Sequence, residues 1–118
     1  MKVLVTGGTG FIGSNLARHL ADQGHKVFVT GLESKQNFGN LPVSFLGQSF
    51  TNLPWDKMGP IDVVFHEAAC NDTTLLDKRE MFKMNFDWSC ELFDEAKNTG
   101  VKKIVYASST AIYGNTPP

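Results

Sequence analysis

The chain has 118 residues, enough for one domain around one core, and its 42% hydrophobic and 19% charged content describes a globular protein, not a disordered one. A net charge of −1 provides no basic field for nucleic acid or anionic lipid, and no apolar stretch approaches the length of a membrane span. The two cysteines, Cys70 and Cys90, are too few for a disulfide framework, so the expected setting is the reducing cytoplasm.

Lys2 to Thr6 is β-branched and apolar without polar alternation, the pattern of a strand buried on both faces. Val3 to Val5 stops at Gly7-Gly8, too short for a signal sequence. Ile12, Leu16, Ala17 and Leu20 then recur at helical spacing through Gln23, with Gly24 placed to terminate the helix. Val27 to Thr30 is a second strand, Gly31 to Leu41 a polar loop, Val43 to Leu46 a third strand, and a short helical turn is expected near Trp55. Ile61 to Phe65 is a fourth strand. Thr73 to Asn98 predicts a long amphipathic helix carrying a core stripe of Met81, Met84, Trp88, Leu92, Phe93 and Ala96. Gly100 ends that helix, and Lys103 to Ala107 is a fifth strand. The pairs Lys78-Arg79 and Lys102-Lys103 read as solvated element ends rather than a binding patch. Alternating strands and helices predict an α/β fold, a doubly wound parallel sheet of the Rossmann type. Ligands in such a sheet bind beyond the strand C-termini, at the switch point.

Gly7, Gly10 and Gly13 form G-x-x-G-x-x-G between the first strand and the first helix. Gly7 permits the tight turn, Gly10 admits a pyrophosphate close to the backbone, and Gly13 allows helix-to-strand packing. The amides near Phe11 and Ile12 open the helix and face the phosphates. No Gly-Lys-Ser/Thr follows, which excludes a Walker loop. His66, Glu67 and Cys70 suggest metal ligation, but they lie at a strand end and have no second ligand cluster, so no metal is expected.

The string Val5 to Ser14 (VTGGTGFIGS), His66 to Cys70 (HEAAC) and Tyr106 to Gly114 (YASSTAIYG) together resemble the extended short-chain dehydrogenases, the NAD-dependent epimerase/dehydratase family. Within that family His66 to Asp77 is most similar to the ADP-glycero-manno-heptose 6-epimerases, with the UDP-hexose 4-epimerases next. The resemblance implies a sugar epimerase with NADP or NAD as cofactor and a nucleotide sugar as substrate, and it admits a homo-oligomer. It places Glu67, Ala68, Ala69, Cys70 and Asn71 along the cofactor, and Ser109 as the catalytic serine that hydrogen-bonds the reacting sugar oxygen.

Where relatives carry an acid for the adenosine ribose, this chain has Thr30 and Gly31. That removes repulsion against a 2′-phosphate and permits NADP. Gln48 stands where relatives place an adenine-reading Asp and can hydrogen-bond the base. Met84 occupies a usual Asn position, with Asn85 beside it as the substitute. Neither Tyr106 nor Tyr113 has a lysine four residues on; Thr110 and Pro117 stand there, so both tyrosines are expected to be structural. Residues 1–118 are therefore expected to be the dinucleotide-binding domain, cut before the family's Tyr-x-x-x-Lys helix and lacking the substrate domain. Two rival activities are a dehydratase, opposed by the absence of its Thr-Asp-Glu at Ser109-Thr110-Ala111, and a reductase of the same family. A non-catalytic dinucleotide sensor is the rival from another class.

Overall fold

The structure, a computed structural model, describes residues 1–31, 38–68 and 78–106, with the backbone alone for 78–84. In chain order the elements are β1 (Lys2–Thr6), α1 (Phe11–Asp22), β2 (Lys26–Val29), β3 (Val43–Phe45), α2 (Trp55–Met58), β4 (Val63–His66), α3 (Lys78–Asn98) and β5 (Lys103–Tyr106). They follow the predicted order, and boundaries move by up to two residues, apart from the start of α3. The expected helix segment from Thr73 to Asp77 lies outside the described residues.

All pairings are parallel and the strand order is β3-β2-β1-β4-β5. The chain first builds outward from β1 to β3, then returns to the other side of β1 for β4 and β5. The switch point is thus between β1 and β4, whose last residues, Thr6 and His66, are register partners. This pairing also explains why β4 reaches His66, one residue beyond its expected end.

The unbroken apolar character of β1 reflects its two covered faces. Alternate side chains point to opposite sides. Val3 and Val5 pack with Ala17 and Ala21 of α1 and with Val27 and Val29 of β2. Leu4 packs on the other face with Met58, Ile61, Val64, Leu92 and Ala96. Helices therefore cover both faces, as a doubly wound sheet requires. Of the expected α3 stripe, Leu92 and Ala96 are fully buried, while Trp88 and Phe93 are half-buried. The Glu95 carboxylate fastens α3 to the turn before α2, accepting hydrogen bonds from the Asn52 and Leu53 amides at 3.0 and 3.2 Å and from Trp55 Nε1 at 2.8 Å.

β5 is the sheet edge, with Ile104 and Tyr106 exposed to 37% and 57%. Its apolar sequence suits a strand covered on both faces, but Ile104 and Tyr106 stand exposed, and among the described elements only β4 pairs with it, which leaves its outer edge open. Lys102 and Lys103 are exposed at its start, as expected, and Lys102 lies 3.7 Å from Asp62.

Candidate functional site

The chain leaves β1 at Gly7 with φ +68°, a left-handed conformation that favours glycine. A Cβ at Gly7 would also lie 2.9 Å from the Ala68 amide nitrogen, so the turn after β1 presses on the segment after β4. Gly13 is constrained by packing: its Cβ would fall 2.0 Å from the Gly7 carbonyl oxygen. Gly10 is different. Its backbone is extended (φ −76°, ψ 176°), and among the described residues a Cβ there would meet only the Gly7 carbonyl, at an ordinary 3.5 Å. Among the described residues nothing requires glycine at this exposed position. What its missing side chain leaves free is the space before the helix N-terminus.

The Ser14 amide is the first to bond within α1, to the Gly10 carbonyl. The Phe11, Ile12 and Gly13 amides precede it in the first turn and have no partner among the described residues. The first turn of α1 holds no acid, and among the described residues no side chain caps the helix or compensates its positive end. Phe11 and Ile12 are 84% and 68% exposed, large apolar side chains lying open beside those amides. A cradle with this shape and charge fits a pyrophosphate.

At the end of β2, Thr30 is fully buried and its carbonyl accepts the Gly8 amide at 2.7 Å. Thr30 Oγ1 is the buried side-chain oxygen left without a partner among the described residues, at the strand end where a Rossmann fold receives the adenosine ribose. A Cβ on Gly31 would sit 2.0 Å from Thr9 Oγ1, so the glycine loop packs directly on this strand end. The Gly31 amide in turn bonds the Gly47 carbonyl, which brings exposed Gln48 to the same rim. Three strand ends and the glycine loop thus converge as expected. Asn85 is half-buried on α3, one turn before Ser89. Ala69, Cys70, Asn71, Ser109 and Tyr113 lie outside the described residues.

His66 is 1% exposed and engaged at both ring nitrogens: Nδ1 is 2.5 Å from Thr6 Oγ1, and Nε2 is 2.8 Å from Ser89 Oγ. Burial lowers its pKa from 6.5 to about 4, keeping it neutral. Phe50, Phe93 and Tyr106 surround the ring, with Tyr106 stacked on it at 5.5 Å and 24°. This accounts for Tyr106 as a packing residue. A histidine with both nitrogens occupied cannot ligate a metal without losing a hydrogen bond. Among the described residues no group of three His, Cys, Asp or Glu side chains could hold one. Among the described residues, too, no helix is long and apolar enough to cross a membrane.

The sequence profile of the NAD dependent epimerase/dehydratase family matches residues 3–118. This chain belongs to that family. It is 36% identical over 121 aligned residues to the ADP-L-glycero-D-manno-heptose-6-epimerase of Alkalilimnicola ehrlichii, an alignment covering 95% of this chain and 38% of that protein. It also resembles the crystal structure of the Helicobacter pylori ADP-L-glycero-D-manno-heptose-6-epimerase, at 34% identity and TM-score 0.77, over 99% of this chain and 42% of the other. A UDP-glucose-4-epimerase from Stenotrophomonas maltophila, solved with bound NAD and formylated UDP-arabinopyranose, matches at 28% identity and TM-score 0.81, over 100% and 40%. The chain therefore spans about two fifths of the length of these relatives.

Sequence reading missed Thr6 and Ser89. Thr6 appeared only as a strand end and Ser89 as one residue of a helix. The available signal was a hydroxyl immediately before Gly7, at the end of an otherwise apolar strand.

Proposed function

We propose that residues 1–118 form the cofactor-binding domain of a nucleotide-sugar epimerase that uses NADP or NAD. The observation that carries this reading is Gly10, a glycine that no described neighbour requires, placed before three helix amides without a partner among the described residues. The Phe11, Ile12 and Gly13 amides would hold the pyrophosphate. Thr30, Gly31 and Gln48 would border the adenosine end, where the absence of a carboxylate at Thr30 and Gly31 admits a 2′-phosphate. Glu67, Ala68, Ala69, Cys70, Asn71 and Asn85 would line the remainder.

When bound, the cofactor supplies a reversible hydride acceptor, so that a sugar carbon can be oxidised and then re-reduced on its other face with no net redox change. Ser109 would donate a hydrogen bond to the oxygen on that carbon. The proton itself needs a tyrosine whose pKa is lowered by a nearby cation, and no Tyr-x-x-x-Lys occurs in these 118 residues. The likeness to ADP-heptose 6-epimerases, at 34% and 36% identity, favours an ADP-activated heptose as substrate. The test incubates the protein with NAD or NADP and either an ADP-heptose or a UDP-hexose, following the sugar's stereocentres by NMR. The 118 residues alone should bind cofactor and leave both sugars unchanged. The same chain continued through a Tyr-x-x-x-Lys helix and substrate domain should epimerise the ADP-heptose. Turnover by the 118 residues would overturn the assignment of roles, and exclusive turnover of the UDP-hexose would overturn the substrate.

A further inference from the structure

We propose that His66 is a positioning residue for the cofactor cradle: as the neutral Nε2–H tautomer it orients the Thr6 hydroxyl, which holds the Glu67 and Ala68 amides in place. The tautomer follows from counting hydrogens. Thr6 Oγ1 accepts the Ala68 amide at 3.1 Å and, at the same distance, the Glu67 amide, which is shared with the Thr6 carbonyl at 3.2 Å. A hydroxyl oxygen has two lone pairs and one proton. With both lone pairs engaged, its contact with His66 Nδ1 must use the hydroxyl proton, so Nδ1 accepts. The ring hydrogen is then on Nε2 and is donated to Ser89 Oγ.

The result is a continuous path of donors from Ala68 and Glu67 to Thr6, from Thr6 to His66, and from His66 to Ser89. It joins α3 and β4 to the end of β1 and to the segment where Ala68 abuts Gly7. A hydroxyl without a fixed acceptor can rotate and turn its proton toward an amide. His66 prevents this by taking the proton on the far side. A proton on Nδ1 would displace one of the two amides.

The inference rests on the reading of this rim as the cofactor site. Its test has two independent parts. Long-range 15N–1H correlation at neutral pH should show His66 as the neutral Nε2–H tautomer. His66→Phe, which keeps a ring but no acceptor, should shift the Glu67 and Ala68 amide resonances and weaken NADP or NAD binding about tenfold. Thr6→Val should do the same, Thr6→Ser should restore binding, and the double variant should be no worse than either single one. If His66→Phe fails to fold, the Thr6 pair and the wild-type tautomer still decide the matter. An Nδ1–H tautomer, or binding unchanged in folded Thr6→Val, would overturn the proposal. Wild-type protein that binds neither dinucleotide would instead bring down the cofactor reading, and this role for His66 with it.

Discussion

The Cβ that Gly13 lacks would fall 2.0 Å from the carbonyl oxygen of Gly7. No side chain can rotate out of that overlap, because both partners are main chain. Gly13→Ala should therefore push α1 away from the loop and cost at least about 3 kcal/mol of stability. Gly10→Ala meets no such obstacle and should change stability by less than about 1 kcal/mol, because its φ and ψ suit any residue. Urea unfolding of the two variants checks the contrast. Equal effects would show that the glycines do not divide into packing and ligand roles.

Thr9 and Gly31 predict how cofactor choice can be altered. Gly31→Asp introduces a carboxylate that repels a 2′-phosphate and accepts from a free ribose diol. Its Cβ, however, would lie 2.0 Å from Thr9 Oγ1 and 2.8 Å from Thr9 Cβ. The single substitution should lower the unfolding midpoint. Thr9→Gly with Gly31→Asp should recover it and move preference from NADP toward NAD by about tenfold. Parallel titrations with both cofactors measure this, and an unchanged ratio in the folded double variant would count against the position.

His66 makes stability depend on pH in a defined direction. Its folded pKa of about 4 lies below the ordinary 6.5, so the unfolded chain takes up a proton first. This contribution is fully present above pH 6.5, declines between 6.5 and 4, and levels off below 4. The loss is on the order of 3 kcal/mol at most. Denaturant midpoints across that range should slope for wild type and flatten for His66→Phe. A slope retained in the variant would assign the effect to another group.

Glu95 receives two donors from the turn before α2 and one from its first residue, so its removal leaves the Asn52 and Leu53 amides and the Trp55 indole without their acceptor. Glu95→Ala should cost about 2 kcal/mol and change Trp55 fluorescence little, because the indole stays packed against the core cluster on that face of the sheet. A loss below about 0.5 kcal/mol would show that the clamp does not contribute.

Much of this architecture was legible in the residues because it depends on local pattern. The apolar run Val3–Val5 announced a strand covered on both faces, Ile61–Phe65 announced the fourth strand, and the glycine spacing announced the turn into α1. The division of labour among the glycines was not legible. It depends on how near Ala68 and the Gly7 carbonyl come to each missing Cβ, which sequence spacing does not encode. The union of Thr6, His66 and Ser89 was hidden for the same reason, since it joins residues 60 and 23 positions apart. His66 drew notice for a metal, yet its long-range partners give it another role. The apolar Ile104 and Val105 suit a strand covered on both faces, whereas the outer edge that β5 leaves unpaired among the described elements is set by topology.

The central claim is that the glycine loop is a dinucleotide cradle in which Gly10 makes room for phosphate. Calorimetric titration of NAD and NADP into wild type and Gly10→Val tests it most directly, with unfolding midpoints measured on the same samples. The account predicts saturable binding by wild type, with NADP at least as tight as NAD, and at least a tenfold loss in a Gly10→Val variant of unchanged stability. Equal affinity in the folded variant, or no binding of either cofactor by wild type, would contradict it.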